Sequence, residues 1–186
     1  MSAKDLDPFF KAVLDLKSVN RAGWASKAEI SSPESVADHV FSMCASGMLI
    51  SDILGLDTEK AMRMILLHDL AESIVGDYMP GQISESQKKK EEDAAMKKIL
   101  SSLPAKIKRQ YAEIWREYLQ NKTELSRFVH RIDKLEMALQ ADRYKSQGHS
   151  DKLDQFFESA HKTIDSQDDI LKDILKALNR SASKRN

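Results

Sequence analysis

Apolar residues recur along this chain at the three- and four-residue spacing of α-helices, and no segment shows the sustained alternation expected of a half-buried β-strand. Only six glycines and four prolines interrupt the 186 residues. Residues that favour helix starts and stops flank the periodic segments: Ser32-Pro33 precedes one of them, and Gly55 follows it. The spacing therefore predicts an all-α fold.

Eight helical segments are predicted, which agrees with a bundle of about seven to eight helices. Their starts are placed near Asp7-Pro8, Ser32-Pro33, Asp57, Ser84, Pro104, Thr123, Leu153 and Ile170. The third segment is expected to continue as one helix to near Gly76. No internal repeat or interdomain linker is visible, so residues 1–178 are predicted to form one domain and the polar residues 179–186 a frayed tail.

Composition excludes several classes of partner. The 29 basic residues equal the 29 acidic residues in number, so no overall field favours a nucleic acid polymer or an anionic membrane. No apolar run approaches the roughly 20 residues that span a bilayer, and the polar start lacks the apolar core of a signal peptide. A cytoplasmic protein is expected. The charged run at residues 88–93 is interpreted as a solvated helix face, with a partner-binding site as the alternative.

Cys44 is the single cysteine, so no internal disulfide can form within the chain. It lies in an apolar helical stretch between Phe41 and Ile50. A lone thiol in such a stretch is expected to pack as a small apolar side chain rather than to act as a nucleophile.

An imidazole and a carboxylate follow an apolar helical run. His68 and Asp69 come directly after residues 64–67, which are Met, Ile, Leu and Leu. A charged pair among residues that favour burial is costly unless it is compensated. Successive helical residues point about 100° apart, close to the angle between neighbouring ligands of an octahedral ion. A divalent cation between the two side chains would supply the compensation, and a capped or solvated pair is the alternative.

Two further polar residues interrupt apolar helices. His39 lies within one predicted helix, and Asp133 interrupts the apolar residues 128–135 of another. Taken singly, His39 is also explained as a hydrogen-bonded core histidine, and Asp133 as one partner of a salt bridge. One shared ion explains both of them together with His68 and Asp69. These four residues are therefore the predicted metal ligands.

Two carboxylates follow the predicted ligand pair. Glu72 lies four residues after His68, so a continuous helix would place both side chains on one face. Asp77 comes just after Gly76, where the helix is expected to end. The alternatives are a solvent-facing side chain for Glu72 and a cap for the next turn for Asp77.

Several motifs together carry a family resemblance. They are Arg21-Ala-Gly-Trp24, Pro33-Glu-Ser-Val-Ala-Asp-His39, His68-Asp-Leu-Ala-Glu72, Gly76-Asp77 and Asp133-Lys-Leu-Glu136. The set resembles the HD-domain superfamily of metal-dependent phosphohydrolases, and within it the 5′-deoxynucleotidase branch. The resemblance spans roughly Leu6 to Ile164. It is nearer to the HD-domain-containing 2 group than to the bacterial enzyme, in which the arginine and the tryptophan are adjacent.

This resemblance implies a single HD-domain helical bundle that hydrolyses deoxyribonucleoside 5′-monophosphates to deoxynucleoside and phosphate. It implies one divalent metal ion on the four predicted ligands, and manganese, cobalt, iron, nickel and magnesium all accept such mixed nitrogen and oxygen donors. Glu72 would be the general acid/base. Asp77 would orient the attacking water or contact the sugar.

Substrate binding is implied for Arg21, Trp24 and Asp77. The guanidinium of Arg21 can donate two parallel hydrogen bonds to a phosphate dianion. Trp24 would close the sugar side of the pocket against a 2′-hydroxyl, or would staple its loop to the core. Residues 117–121 are expected to border the pocket. The family also implies a homodimer, for which the apolar side of the later helices is a candidate interface.

Two other functions fit parts of the sequence. An HD phosphohydrolase could act on another phosphomonoester, or on a cyclic or polyphosphorylated nucleotide. Arg21 beside a single-metal site favours a terminal monophosphate over these substrates. A non-catalytic helical adaptor would be expected to have lost a metal ligand or the acid/base residue, and none of these residues is missing.

Overall fold

Helices account for nearly all regular structure in the computed structural model, which describes residues 3–79, 81–149, 151–164 and 168–183. Within these residues there is no β-strand, so the all-α prediction is confirmed. Ten α-helical segments occur there, slightly more than the seven to eight expected, and two of them are short. They are α1 (Asp7–Asp15), α2 (Ala22–Ala28), α3 (Val36–Leu54), α4 (Thr58–His68), α5 (Glu72–Val75), α6 (Glu85–Leu100), α7 (Ala105–Gln120), α8 (Glu124–Ser146), α9 (Asp154–Thr163) and α10 (Asp169–Ser183).

Side chains close to the helix ends explain where the longest helices begin. The hydroxyl of Ser35 accepts the amide of Asp38 at the start of α3, and the Asp38 carboxylate accepts the amide of Ser35 in return. Thr123 and Ser126 form the same reciprocal pair at the start of α8. Gly55 ends α3 with a φ of 67°, a conformation that glycine adopts without strain.

The long helix α8 runs through the centre of the bundle. It packs against α3, α4, α7, α9 and α10. Its side chains Phe128, Ile132 and Leu135 are fully buried. Where α3 meets α4, a Cβ built at Gly47 would come within 2.6 Å of the Ile65 side chain, so the glycine allows the two helices to approach closely. The same core that stabilises the fold therefore brings α3, α4 and α8 together.

The third predicted helix differs from the structure, because it does not continue to Gly76. Helix α4 ends at His68, and Asp69 has left the helical conformation with φ and ψ of −106° and 9°. The amide of Glu72 then donates to the carbonyl of Asp69, three residues back, and α5 begins. No glycine or proline marks this break. It is stabilised instead by burial of the turn, since Leu70 is only 2% exposed.

Two other expectations concern membrane-spanning segments and the C-terminal tail. Among the described residues, no helix is long and apolar enough to cross a bilayer. Helix α10 continues to Ser183, into the segment predicted to be a polar tail, while residues 184–186 lie outside the described part of the chain. Fraying of this tail stays a prediction.

Cys44 lies half-buried on α3 beside an apolar groove. Burial raises the pKa of its thiol to about 11. The thiol is therefore protonated near neutral pH, as expected for a cysteine that packs as an apolar side chain.

Candidate metal centre

The four predicted ligands come together where α3, the end of α4 and the middle of α8 meet. Potential ligand atoms of His39, His68 and Asp69 all lie within 4.8 Å of one another. The Nε2 atom of His68 is 3.0 Å from Oδ2 of Asp69, and Nε2 of His39 is 3.3 Å from Oδ1 of Asp133. Ligand atoms of His39, His68 and Asp69 are thus mutually close, and the carboxylate of Asp133 adjoins this group beside Nε2 of His39.

Both imidazoles present Nε2 to this group because their other nitrogens are already engaged. Nδ1 of His39 lies 2.5 Å from Oε2 of Glu136, and Nδ1 of His68 lies 2.6 Å from the carbonyl oxygen of Ile65. A carbonyl oxygen only accepts, so Nδ1 of His68 carries the proton, and a carboxylate favours the same tautomer for His39. Both Nε2 atoms are buried without a hydrogen-bond partner. A bound cation would satisfy them, and the donor set suits a divalent metal ion.

The electrostatics of the cluster also favour a cation. Although burial opposes ionisation of Asp69, the nearby His68 and Arg21 hold the pKa of its carboxyl below the usual range. Although burial and the charge of Arg21 oppose protonation of His39, the nearby carboxylates of Asp133 and Glu136 raise the pKa of its imidazole to about 9. The carboxylates therefore favour the protonated form of His39. A metal ion bound at the same place would supply the positive charge instead and displace that proton.

Arg21 is the residue that connects the carboxylates of the cluster. Its Nη1 atom is 3.4 Å from Oδ2 of Asp69, and its Nη2 atom is 3.9 Å from Oδ1 of Asp133. The side chain of Arg21 is only 13% exposed, yet it borders the cavity above the metal centre. A buried fork of donors at the edge of a cavity is suited to bind an anion.

Glu72 is the first residue of α5 and borders the same cavity. The break after His68 places it there, rather than the continuous helix assumed from its four-residue spacing. Its Oε2 atom is buried and has no hydrogen-bond partner among the described residues. Burial, followed by the charges of Asp69 and Asp77, raises the pKa of Glu72 well above its usual range. The solvent-facing alternative is wrong for this residue, which is 4% exposed.

Asp77 has a structural contact in addition to its place at the cavity. Its Oδ2 atom accepts the amide of Ala22 at 2.8 Å, at the start of α2. This contact is with the start of α2, 55 residues earlier in the chain, and not with the turn that follows Asp77, as the capping alternative assumed. Asp77 also borders the cavity, and its predicted catalytic and sugar-binding roles stay predictions.

Trp24 has the contacts of an anchor. Its Nε1–H group donates to Oε1 of Glu34 at 2.9 Å, and its ring packs against those of Phe156 and Tyr144 with centroids 4.2 and 5.3 Å away. Burial and the charge of Glu136 raise the pKa of Glu34 to about 7. Trp24 is 2% exposed, so it anchors α2 to the core, which is one of the two roles predicted for it. It also borders the cavity, and its contact with a sugar stays a prediction.

The cavity above the cluster has a volume of about 370 Å³. Sequence reasoning did not identify several of its polar residues. These include Lys88, His130, Lys134, Gln155 and Ser159. Tyr118, which lies in the segment expected to border the pocket, does so, and its ring stacks on that of His130 with centroids 4.2 Å apart.

The position of Lys88 at the cavity could have been predicted from helical spacing. The solvated-face interpretation holds for the exposed Lys89 and Lys90, but Lys88 is half-buried and borders the cavity. Lys88 precedes the buried residues Ala95 and Ile99 of α6 by seven and eleven positions, close to whole numbers of helical turns. Helical spacing within the charged run would therefore have placed Lys88 on the inward face.

Comparisons with known proteins identify the family to which the chain is similar. A sequence model of the family described as HD domain matches residues 13–172. Human 5′-deoxynucleotidase HDDC2 is 36% identical over 159 residues, which cover 84% of this chain and 77% of the human protein. The 5′-deoxynucleotidase hdd1 of Schizosaccharomyces pombe is 36% identical over 163 residues, which cover 83% of this chain and 81% of the yeast protein.

Solved structures extend the similarity to the fold. The crystal structure of a protein from Pyrococcus horikoshii OT3 is similar to this chain with a TM-score of 0.78 and 32% identity, and the match covers 92% of this chain and 96% of that one. A structure from Magnetospirillum magnetotacticum MS-1, described as a predicted metal-dependent phosphohydrolase, matches with a TM-score of 0.71 at 22% identity and shares the fold.

Proposed function

The chain belongs to the HD domain family, and on that premise we propose that it is a metal-dependent phosphomonoesterase that hydrolyses deoxyribonucleoside 5′-monophosphates. The products are the deoxynucleoside and phosphate. The observation that carries the proposal is the pair of buried, unpartnered Nε2 atoms of His39 and His68, which face two carboxylates beside Arg21. The relatives named 5′-deoxynucleotidase, at about 36% identity over most of the chain, support this substrate class.

His39, His68, Asp69 and Asp133 would hold one divalent metal ion. Manganese, cobalt, iron, nickel and magnesium all fit two imidazoles and two carboxylates, whereas a structural zinc site would be expected to include cysteine. When bound, such an ion polarises a phosphoryl group and makes a coordinated water more acidic.

Arg21 would bind the phosphate of the substrate. Its guanidinium already spans the carboxylates of Asp69 and Asp133, at 3.4 and 3.9 Å, so it lies directly beside the proposed ligands. A planar fork can donate two parallel hydrogen bonds to a phosphate dianion. Lys88 borders the same cavity and adds a second positive charge on the side of α6.

Glu72 would transfer the proton in the reaction. Its buried carboxyl has an unpartnered oxygen and borders the cavity. A group held in this way can protonate the leaving 5′-oxygen or accept a proton from the attacking water. Asp77 has one oxygen bound to Ala22, and its second would orient the water or contact the sugar.

The far wall of the cavity suits a nucleoside. Met137 borders the cavity and lies four residues after Asp133 on α8, which is about 6 Å along the helix. Phe156 and Trp24 also border the cavity, so apolar and aromatic side chains are available to pack against a nucleoside. A deoxyribose held there would face Trp24, which is the proposed basis for discrimination against a 2′-hydroxyl.

We further propose a cytoplasmic homodimer, with a different interface from the one the later helices suggested. The exposed large apolar side chains of the described residues lie in α1, α3, α4 and α5. Phe41 of α3 is 75% exposed and lies at the rim of an apolar groove that also includes Val13 and Leu66. A projecting ring beside an apolar groove can pair with a second copy across a two-fold axis. Sedimentation of the wild type and of Phe41→Asp, which would favour the monomer, tests this interface.

One assay tests the activity. The protein is stripped with a chelator and reloaded with each candidate metal, and phosphate release is measured from deoxyribonucleoside 5′-monophosphates, ribonucleoside 5′-monophosphates and 3′-monophosphates. We expect metal-dependent turnover that is fastest with the 5′-deoxy substrates. Equal rates on ribo and deoxy forms would leave a general phosphohydrolase, and no turnover with any metal would favour the adaptor alternative.

A further inference from the structure

A second cluster lies behind the proposed metal centre. Potential ligand atoms of Glu34, His39 and Glu136 lie within 4.8 Å of one another, on the Nδ1 side of the His39 ring. Neither glutamate borders the substrate cavity. We propose that Glu136 is a positioning residue that orients the imidazole of His39 toward the metal ion, an inference that rests on the proposed function.

Helix α8 supplies a carboxylate to each side of the His39 ring. Asp133 and Glu136 are three residues apart, so their side chains lie on one face of the helix. Oδ1 of Asp133 is 3.3 Å from Nε2, whereas Oε2 of Glu136 is 2.5 Å from Nδ1. The same helix therefore provides a proposed metal ligand and the partner of the opposite nitrogen.

Burial shields the contact between Nδ1 of His39 and the Glu136 carboxylate from solvent. His39 has no exposed surface and Glu136 is 2% exposed, so in the intact protein the carboxylate rather than bulk water accepts from Nδ1. With Nδ1–H engaged, the Nε2 lone pair is available for a metal ion. Without the acceptor, the ring can rotate or place its proton on Nε2, and neither arrangement binds the ion as well.

Glu34 provides a matched comparison within the same cluster. Its carboxylate also lies near His39, but its Oε1 atom accepts the indole N–H of Trp24 at 2.9 Å. No hydrogen bond joins it to the imidazole in the described structure. At a pH above the pKa of about 7 of Glu34, where this carboxyl is ionised, Glu34→Gln removes a negative charge close to His39 while its amide oxygen can still accept from Trp24. A general effect of charge would therefore appear in this variant too.

The test measures the Kd for Co²⁺ by chelator competition in the full chain. Glu136→Ala and Glu136→Gln are compared with wild type, with Glu34→Gln, and with Asp93→Asn, a distant acid that accepts the indole N–H of Trp115. We expect Kd to rise about 10- to 100-fold in Glu136→Ala and by less in Glu136→Gln, whose oxygen can still accept. The two control variants should stay within about twofold of wild type by the same reasoning. Glu136→Gln preserves side-chain volume and carries the test if Glu136→Ala does not fold.

A second readout separates orientation from loss of stability. In Zn²⁺-loaded protein, proton–nitrogen NMR should show a slowly exchanging Nδ1–H resonance for His39 in wild type and both controls, and its loss in Glu136→Ala. Unchanged Kd in folded Glu136→Ala, or equal weakening in Glu34→Gln, overturns the inference. Failure of the wild type to bind any of the candidate divalent ions would instead remove the proposed function.

Discussion

The two halves of the metal centre place the same chemical groups in different ways. In the α4–α5 turn, His68, Asp69 and Glu72 lie within a stretch of five positions, and Nδ1 of His68 is held by the carbonyl of Ile65, three residues back. In the α3–α8 half, His39 depends on Glu136, which is 97 residues away in the sequence. In the first half, a main-chain carbonyl close in the sequence orients the imidazole. In the second half, a side chain distant in the sequence orients it. Only the second half should therefore be sensitive to a substitution outside the ligands themselves.

The largest expected effect tests whether both halves are needed for the metal. His39→Ala and His68→Ala should each lose the divalent ion, because the remaining ligands cannot replace an imidazole in a buried site. Elemental analysis should find about one ion per chain in the wild type and far less in either variant. Stoichiometric metal in both variants would show that the ligand assignment is wrong.

The next effect tests whether the two halves divide binding from chemistry. Glu72→Ala should keep the metal and lose about 10²- to 10⁴-fold in kcat, the usual contribution of a general acid/base, with little change in KM. Asp133→Ala in the other half should lose the metal and the activity together. Kinetics and elemental analysis of both variants check this division. Near-normal kcat in metal-loaded Glu72→Ala would move the proton transfer to Asp77.

A smaller effect is expected at Arg21, the residue that contacts both halves. Arg21→Lys keeps the charge but removes the two-pronged geometry, so KM for a deoxyribonucleoside 5′-monophosphate should rise about 10- to 100-fold, equivalent to one lost charged hydrogen bond. Steady-state kinetics with saturating metal measure this rise. Because α6 would still supply Lys88, Lys88→Met is the companion variant. A larger KM change in Lys88→Met than in Arg21→Lys would assign the main phosphate contact to Lys88.

The smallest effect on metal binding is expected in the α4–α5 half, where a main-chain carbonyl orients His68. Ile65→Val shortens the side chain of the residue whose carbonyl holds His68, but it leaves that carbonyl in place. Stability should fall by about 1 kcal/mol, as is usual for this change in a core, while the Kd for Co²⁺ stays within about twofold of wild type. Denaturant unfolding and chelator competition measure the two quantities. Metal binding as weak as in Glu136→Ala would remove the distinction between the two halves.

Much of the candidate site could be predicted because polar residues at apolar helical positions stand out in a sequence. His39, His68 and Asp133 were found in this way, and the structure brings them together with Asp69. Their joint role as ligands remains a prediction that metal analysis can test. Lys88 was missed because a run of charges was interpreted as a whole, although only part of it faces solvent.

What the sequence determined by itself depends on interactions within about one helical turn. Helix type follows from three- and four-residue spacing, and helix starts follow from hydroxyls such as those of Ser35 and Thr123, whose amide partners are three residues away. Tertiary structure alone decided where α4 breaks, because burial of Leu70 holds a turn that contains no glycine or proline. It also decided that Glu136 serves His39. Helical spacing gives the face on which each residue lies, but only the packing of α3 on α8 brings those two faces together.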